Sequence, residues 1–547
     1  MKKSGNFINI LVLLAVSIVF LIAGNGILHL TDPDEVFYAE TAKEMIHQKT
    51  WLVPYLFGEP QFEKPILTFW LMRIGYIIFG ISSFSARLFP ALFAIVGAFA
   101  TYFLSIVAYN DKKKAFISFL ILISSGLYIG LARAVMTDMI FAVFISLSLV
   151  SFFYGYTDIK KKSLGINLFF LFSGLAVLTK GPLGIILPIS AIFLFLAIRK
   201  DLKFLFCKHS ILGLLIFIVA TLPWYWFMIN KFGESFINEF FYNDHIRRLF
   251  EAEHRSSDTW YFYPATMLGC MFPWSILVFA ALLYLAKKIM EKHPSPLYLF
   301  LLCWISTTFI ICQAAHSKLV SYIFPFFPAL AVITGDFICS SAESGRRWSA
   351  KLLVASLCIL TLVPAVLIIA GKEYMDYLPS RAFLYWFIFC YLALVLSALF
   401  LTIKRRWLAG VCLTALLGPL VLIFAFLGHK SVDNYATSYD TSEYLLKNYV
   451  VQNKIICSKP LARGIKFFTD KDVAVMDING SGYFSPHPIT YLNAEEKLMA
   501  FLTAQKVTYG IFTDSSFEDI NRLSGEYKFT LNVLKVIGNQ YIVKIQR

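Results

Sequence analysis

Apolar stretches of about twenty residues, the length that crosses a bilayer core as a helix, recur through the first 428 positions of this 547-residue chain. Inside lipid every backbone polar group must be satisfied within the segment, so repeated stretches of this kind leave a helical bundle as the only economical fold. Composition agrees. The chain is 58% hydrophobic and 15% charged, with a mean hydropathy of +0.68, whereas a soluble domain is about half apolar and about a quarter charged. The sequence therefore predicts an all-α polytopic membrane protein.

Spans are expected near 7–28, 85–109, 115–132, 138–156, 165–179, 182–198, 210–229, 263–286, 296–315, 321–341, 351–370, 383–403 and 408–428, thirteen in all. The N-terminal stretch is too long for a signal-peptide core and reads as an uncleaved first helix. Starting with Lys2 and Lys3 inside, every second loop is basic: Lys112–Lys114, Lys160–Lys162, Arg199 with Lys200 and Lys203, Lys287 with Lys288, Arg346 with Arg347, and Lys404 with Arg405 and Arg406. The positive-inside rule then places the N-terminus in the cytoplasm and the C-terminus outside. This distribution also accounts for the net charge of +15. No basic groove with interleaved aromatics accompanies it, so no nucleic-acid partner is expected. The nine cysteines have no C-x-x-C spacing, which leaves zinc ribbons and dithiol chemistry without support.

After Gly428 the pattern changes. Helix-like pieces ("TSEYLLKNYV", "AEEKLMAFLTAQ") alternate with β-like runs ("KIIC", "VAVM", "YGIFT", "TLNVLKVIGNQYIVKI"). Residues 1–428 are thus read as a transmembrane domain and 429–547 as an α/β domain on the outer side.

The chemistry-bearing residues gather in the outer loops. "TDPDEVFYAETAKEM" carries Asp32, Asp34, Glu35 and Glu40. From Asp34 to Ile46, apolar residues at helical spacing predict an amphipathic helix lying flat at the interface. Asp34 and Glu35 fall in its first turn, where a carboxylate complements the helix dipole, and simple capping would account for Asp34. Glu63 and Lys64 stand between Phe62 and "ILTFWLM", where dehydrating a charge is costly unless it has a task. Asp138 opens a span after Arg133, a position that an interfacial residue also takes. Asp244 and His245 lie in "FFYNDHIRRLF" with Arg247 and Arg248. A lone loop histidine is most often a surface residue; beside Glu63, His245 would supply the imidazole of a divalent metal site.

Five segments, "DPDEVFYAE", "WLVPYLFGEPQFEKPILTFWL", "SARLFPALFA", "LTKGP" and "SKLVSYIFPFFPALA", resemble the bacterial lipid-linked-sugar glycosyltransferases of the GT-C superfamily. The resemblance is greatest to the aminoarabinose lipid A transferase branch and more distant to the protein O-mannosyltransferases. It covers roughly 1–340 by motif, and the first-loop motif is its most specific part. It implies an inner-membrane enzyme with a cavity facing the periplasm. Such an enzyme moves a sugar, here 4-amino-4-deoxy-L-arabinose, from undecaprenyl phosphate to lipid A or a related acceptor, with inversion. Carried over residue by residue, it makes Asp34 the catalytic aspartate and Asp138 the second candidate. Lys64 and Tyr322 become donor-phosphate residues, and Glu63 and His245 the ligands of a divalent metal ion. In one respect the chain departs from the pattern. Where the family commonly has Arg in Asp-Glu-x-Arg-Tyr, this chain has Phe37, and Arg133 is the expected substitute.

Three other readings stand beside this one. A protein O-mannosyltransferase-like enzyme would use another polyprenyl-phosphate sugar. A transporter would concentrate its ionisable residues at mid-membrane depth, whereas here they lie in outer loops. An O-antigen polymerase or ligase has a different motif layout.

Overall fold

The computed structural model describes residues 2–251, 257–292, 294–343, 348–371, 375–478, 480 and 489–547. The Arg346–Arg347 basic loop and residues 252–256 of the loop after the seventh span lie outside the described residues. Among those described, nine helices are long and apolar enough to cross a membrane: Ser83–Tyr109, Thr137–Thr157, Ile159–Lys180, Lys208–Phe232, Pro296–Ala314, Val320–Ala342, Trp348–Ala370, Arg381–Ile403 and Trp407–Leu427.

The other four expected spans take broken or short forms. The stretch 115–132 is two helices, Lys112–Ile123 and Gly126–Ala132, bent by 65°. The Ser124 hydroxyl at the bend donates to the Leu120 carbonyl at 2.6 Å and accepts the Trp274 indole N–H at 2.9 Å. The stretch 263–286 divides into Phe262–Cys270 and Ser275–Ile289 around Pro273, which has no N–H to carry a helix ladder through. Ile8–Leu21 and Leu183–Ile198 are shorter apolar helices. Leu67–Phe79, which the sequence did not mark as a span, is a further apolar helix of 13 residues.

Burial sorts the helices into layers. Thr137–Thr157 is buried almost all round and packs against Lys162–Lys180 and Ser83–Tyr109, as a helix apolar on every face should. Lys208–Phe232 instead presents Ile211, Leu215, Val219, Leu222 and Trp226 outward at helical spacing, a continuous apolar stripe that suits lipid rather than water. At one end of the bundle the basic loops meet neighbouring helices: Lys114 pairs with Asp336 at 2.7 Å, and Lys113 lies 4.3 Å from the Trp407 ring. The far ends of Thr137–Thr157 and Lys208–Phe232 lead to Asp138 and to the 233–251 segment.

After Trp407–Leu427, the helix His429–Ala436 leads into a six-stranded sheet. Its spatial order is Thr490–Leu492, Val473–Met476, Ile455–Ser458, Val507–Thr513, Gln540–Gln546 and Thr530–Ile537. The first four strands are parallel, Gln540–Gln546 runs antiparallel to them, and Thr530–Ile537 pairs antiparallel with Gln540–Gln546. The inner strands read as short continuous apolar runs because helices cover them.

The helix Asp34–His47 departs from expectation. It is not a surface helix: every residue from Glu35 to Met45 is buried. Its polar side is covered by the helix Ala462–Thr469 of the C-terminal domain. Lys43 there donates to the Phe467 carbonyl and pairs with Asp470, both at 2.6 Å. A pattern of alternating charge and apolarity reads the same whether the charged face meets water or a second domain.

Candidate active site

The loop between the first two expected spans is held from both sides. Glu35 receives the Arg87 guanidinium through Nε at 2.8 Å and Nη2 at 2.5 Å, the Val135 N–H at 2.9 Å and the Thr31 N–H at 2.9 Å. Burial alone would raise its pKa, but Arg87 and these donors outweigh it and hold the carboxyl below its ordinary range. Glu44, on the same helix, accepts the N–H groups of Phe57 and Gly58 at 2.7 and 2.8 Å, which pins the hairpin turn that precedes Glu63. Gly58 takes a φ of +80° in that turn. With Glu35 and Glu44 occupied, Asp34 is left exposed at the rim of a cavity.

That cavity has a volume of about 300 Å³. Its charged lining is balanced: Asp34, Glu63, Asp138, Glu239 and Asp244 face Lys64, Lys180, Arg247, Arg248 and Arg463. Asp244 joins two of the cations, Lys64 at 2.7 Å and Arg248 at 3.0 Å. Burial raises the Asp244 pKa, and the pull of Lys64 and Arg248 more than reverses it. Lys64 also donates to the Glu63 carbonyl at 3.0 Å. Burial pushes the Glu63 carboxyl above its usual value, with Lys64 and Arg463 offsetting part of the rise. Across the cavity, Asp138 pairs with Lys180 at 2.6 Å, and the Lys180 ammonium stands 4.7 Å from the Tyr322 ring.

The segment Ile237–Arg247 is wound as a π-helix, a rare form that recurs at functional sites. It turns Glu239, Asn243, Asp244 and Arg247 toward the cavity, while Phe236 and Phe240 stack beneath it at 5.4 Å. In "LTKGP", Lys180 ends one helix, Gly181 takes a φ of +99°, and Pro182 precedes the next helix. A Cβ on Gly181 would come within 2.4 Å of His245 Nε2, so only glycine lets the π-helix approach this turn.

A second cavity, about 290 Å³, adjoins the first. Phe141, Leu183, Ile186, Leu187, Ile246, Leu249 and Ile311 give it apolar walls. Lys180, Asp244, Arg248, Ser321 and Tyr322 line both cavities. A polar chamber and an apolar groove therefore meet at a set of cations.

Residues 8–233 match the family described as dolichyl-phosphate-mannose-protein mannosyltransferase. A protein of Aquifex aeolicus without a described function is 33% identical over 331 residues, 60% of this chain and 64% of that one. The undecaprenyl phosphate-alpha-4-amino-4-deoxy-L-arabinose arabinosyl transferase of Shewanella sediminis is 28% identical over 419 residues, 75% of each chain. The crystal structure of ArnT from Cupriavidus metallidurans bound to undecaprenyl phosphate superposes with a TM-score of 0.79 at 20% identity, over 98% of this chain and 97% of that one. Its apo form gives 0.80 over 100% and 98%. The chain shares the fold of these ArnT structures over nearly its whole length.

Most of the residues expected at the site come together. Asp34, Glu63, Lys64, Asp138 and Tyr322 all line the polar cavity. Arg133 does not. Its guanidinium bonds the Asn25 Oδ1 at 2.7 Å and the Phe20 carbonyl at 3.0 Å, satisfying a carbonyl at the end of the first helix that has no intrahelical donor. His245 is also turned from its expected role. Its Nδ1 contacts the Phe240 carbonyl at 2.7 Å, and Nε2 lies 3.4 Å from the Lys180 carbonyl. Both ring nitrogens face acceptors, which suits a donor that ties the π-helix to the Lys180 turn and not a metal ligand. Among the described residues no group of three or more His, Cys, Asp or Glu is placed to hold one ion. The Glu63–His245 metal site does not fit this arrangement. Sequence reasoning passed over Lys180, which stood in a motif too short to be specific, and Arg463, which no motif marks.

Proposed function

We propose that this transferase moves 4-amino-4-deoxy-L-arabinose, or a close relative, from undecaprenyl phosphate to lipid A at a site facing the periplasm. The observation that carries the reading is the meeting of the apolar groove with the polar cavity at Lys180, Arg248 and Tyr322. A polyprenyl phosphate has this same division, an apolar chain ending in an anion. The chain lies in the groove between Leu183, Ile186 and Leu249, and its phosphate meets Lys180, Arg248 and Lys64. The sugar then projects toward Asp34, Glu63 and Glu239. These carboxylates suit a sugar carrying an ammonium group.

In the reaction an acceptor oxygen bonds to the anomeric carbon as that carbon's bond to the donor phosphate oxygen breaks. The electron pair leaves on undecaprenyl phosphate, and attack from the opposite face inverts the centre. Fixed cations stabilise the charge that grows on the leaving phosphate. A phosphate acceptor on lipid A arrives ionised, so no proton has to be removed and Asp34 positions the reacting groups. A hydroxyl acceptor would pass its proton to Asp34 as general base.

Mass spectrometry of lipid A from cells with and without the gene tests the reading. Loss of a cationic aminosugar from lipid A on deletion, with increased polymyxin sensitivity, is expected. The match of residues 8–233 to a protein mannosyltransferase family favours one other acceptor class. Unchanged lipid A together with a missing glycan on an exported protein would establish that class instead.

A further inference from the structure

Arg463 reaches the cavity from the other domain. It lies in the first turn of Ala462–Thr469, and its guanidinium carbon stands 4.7 Å from the centre of the Phe37 ring. It lines the polar cavity beside Asp34, Glu63 and Lys64. The neighbouring cations are committed, since Lys64 and Arg248 share Asp244 and Lys180 is paired with Asp138. Among the described residues Arg463 has no carboxylate within 4.0 Å.

Its placement is enforced. A Cβ on the adjacent Gly464 would lie 2.1 Å from Asp32 Oδ1 and 2.3 Å from Ser438 Oγ, so the backbone is pressed directly against the loop that carries Asp34. Asp32 Oδ2 accepts the Ser438 N–H at 2.7 Å. Further along the helix, Lys43 holds the Phe467 carbonyl and Asp470. A guanidinium held over an aromatic face by its central carbon still carries N–H groups that can donate to a phosphate.

We propose that Arg463 binds a substrate phosphate, so that the domain after Gly428 completes the active site and does not merely cap it. The proposal rests on the transferase reading for the nature of the substrates, and direct binding measurements separate the two. Wild type and Arg463→Met are compared for affinity toward undecaprenyl phosphate and toward lipid A, each by intrinsic tryptophan fluorescence, with thermal unfolding as the folding control. Methionine keeps an apolar contact to Phe37 and removes the charge. Loss of a charge-assisted phosphate contact is expected to weaken one of the two lipids roughly 10- to 100-fold. Weaker undecaprenyl phosphate binding assigns Arg463 to the donor phosphate, and weaker lipid A binding to the acceptor phosphate. Phe37→Arg added to Arg463→Met returns a guanidinium to the same place and is expected to restore affinity, which a purely structural role would not allow. Arg463→Lys serves where the methionine variant fails to fold, and is expected to bind several-fold more weakly than wild type because it loses the two-pronged geometry. Wild-type affinity of the folded variant for both lipids overturns the proposal, whether or not sugar transfer is detected.

Discussion

Asp138 holds Lys180 at 2.6 Å on the side of the cavity that opens into the apolar groove. The pair fixes an ammonium at the place proposed for the lipid phosphate. Asp138→Asn is expected to free Lys180 and raise KM for the lipid-linked donor more than it lowers kcat. Lys180→Met should weaken donor use by about 10- to 100-fold, the range of a charge-assisted contact. Steady-state kinetics in both substrates reads the split. If Asp138→Asn abolished kcat with an unchanged donor KM, Asp138 would be acting on the reacting atoms and not through Lys180.

Asp32 ties pH to the docking of the C-terminal domain. Burial pushes its carboxyl up from the ordinary aspartate range to about 7, with Ser438 and Gly464 offsetting part of the rise. Its Oδ1 is buried without a hydrogen-bond partner. The protonated form is the one the folded state favours. Its contribution is therefore fully present below about pH 4 and is lost as pH rises through about 7. Thermal unfolding, or hydrogen exchange of residues 462–469, should show weaker docking above pH 7 than below it. Asp32→Asn should flatten the dependence, and a variant as pH-sensitive as wild type would assign the effect to another group.

Much of this was legible in the chain, for particular reasons. Apolar run length exposed the spans, and the β-like "VAVM" returns as Val473–Met476 residue for residue. The carboxylates of the first loop converge because Glu35 and Glu44 are spent on structure, leaving Asp34 and Glu63 for the cavity. Pairings across hundreds of residues were not legible. Lys43 with Asp470 and Arg463 over Phe37 join positions more than 420 apart, and neither partner carries a local pattern that names the other. The same holds for Arg133: a cation near the end of a span reads alike whether it caps a neighbouring helix or meets a substrate.

His245 provides a test of its own. With Nδ1 on the Phe240 carbonyl and the ring against Gly181, His245→Ala is expected to cost about 1–3 kcal/mol of stability through the polar groups it leaves unmet. Any stimulation by divalent cations should keep its half-maximal concentration in the variant. A large increase in the metal required, at unchanged stability, would return His245 to a ligand role.

Orientation can be read by labelling. Cys457 is fully buried in its strand, so it is a poor reporter. Ser515 is exposed at the start of Asp514–Tyr527. Ser515→Cys is expected to react with an impermeant maleimide added to the periplasmic side of intact spheroplasts. Reaction only after the membrane is opened would invert the topology.

The most direct measurement is transfer by the purified protein in proteoliposomes, with labelled undecaprenyl phosphate-aminoarabinose as donor and lipid A as acceptor, for wild type and Asp34→Asn. The substitution keeps the volume of an exposed side chain and removes its carboxylate, so the fold should be retained. Wild type is expected to yield lipid A heavier by one aminopentose, and Asp34→Asn to yield none while still binding undecaprenyl phosphate. Full turnover by Asp34→Asn, or a wild type that binds the donor and leaves lipid A unmodified, would contradict the account.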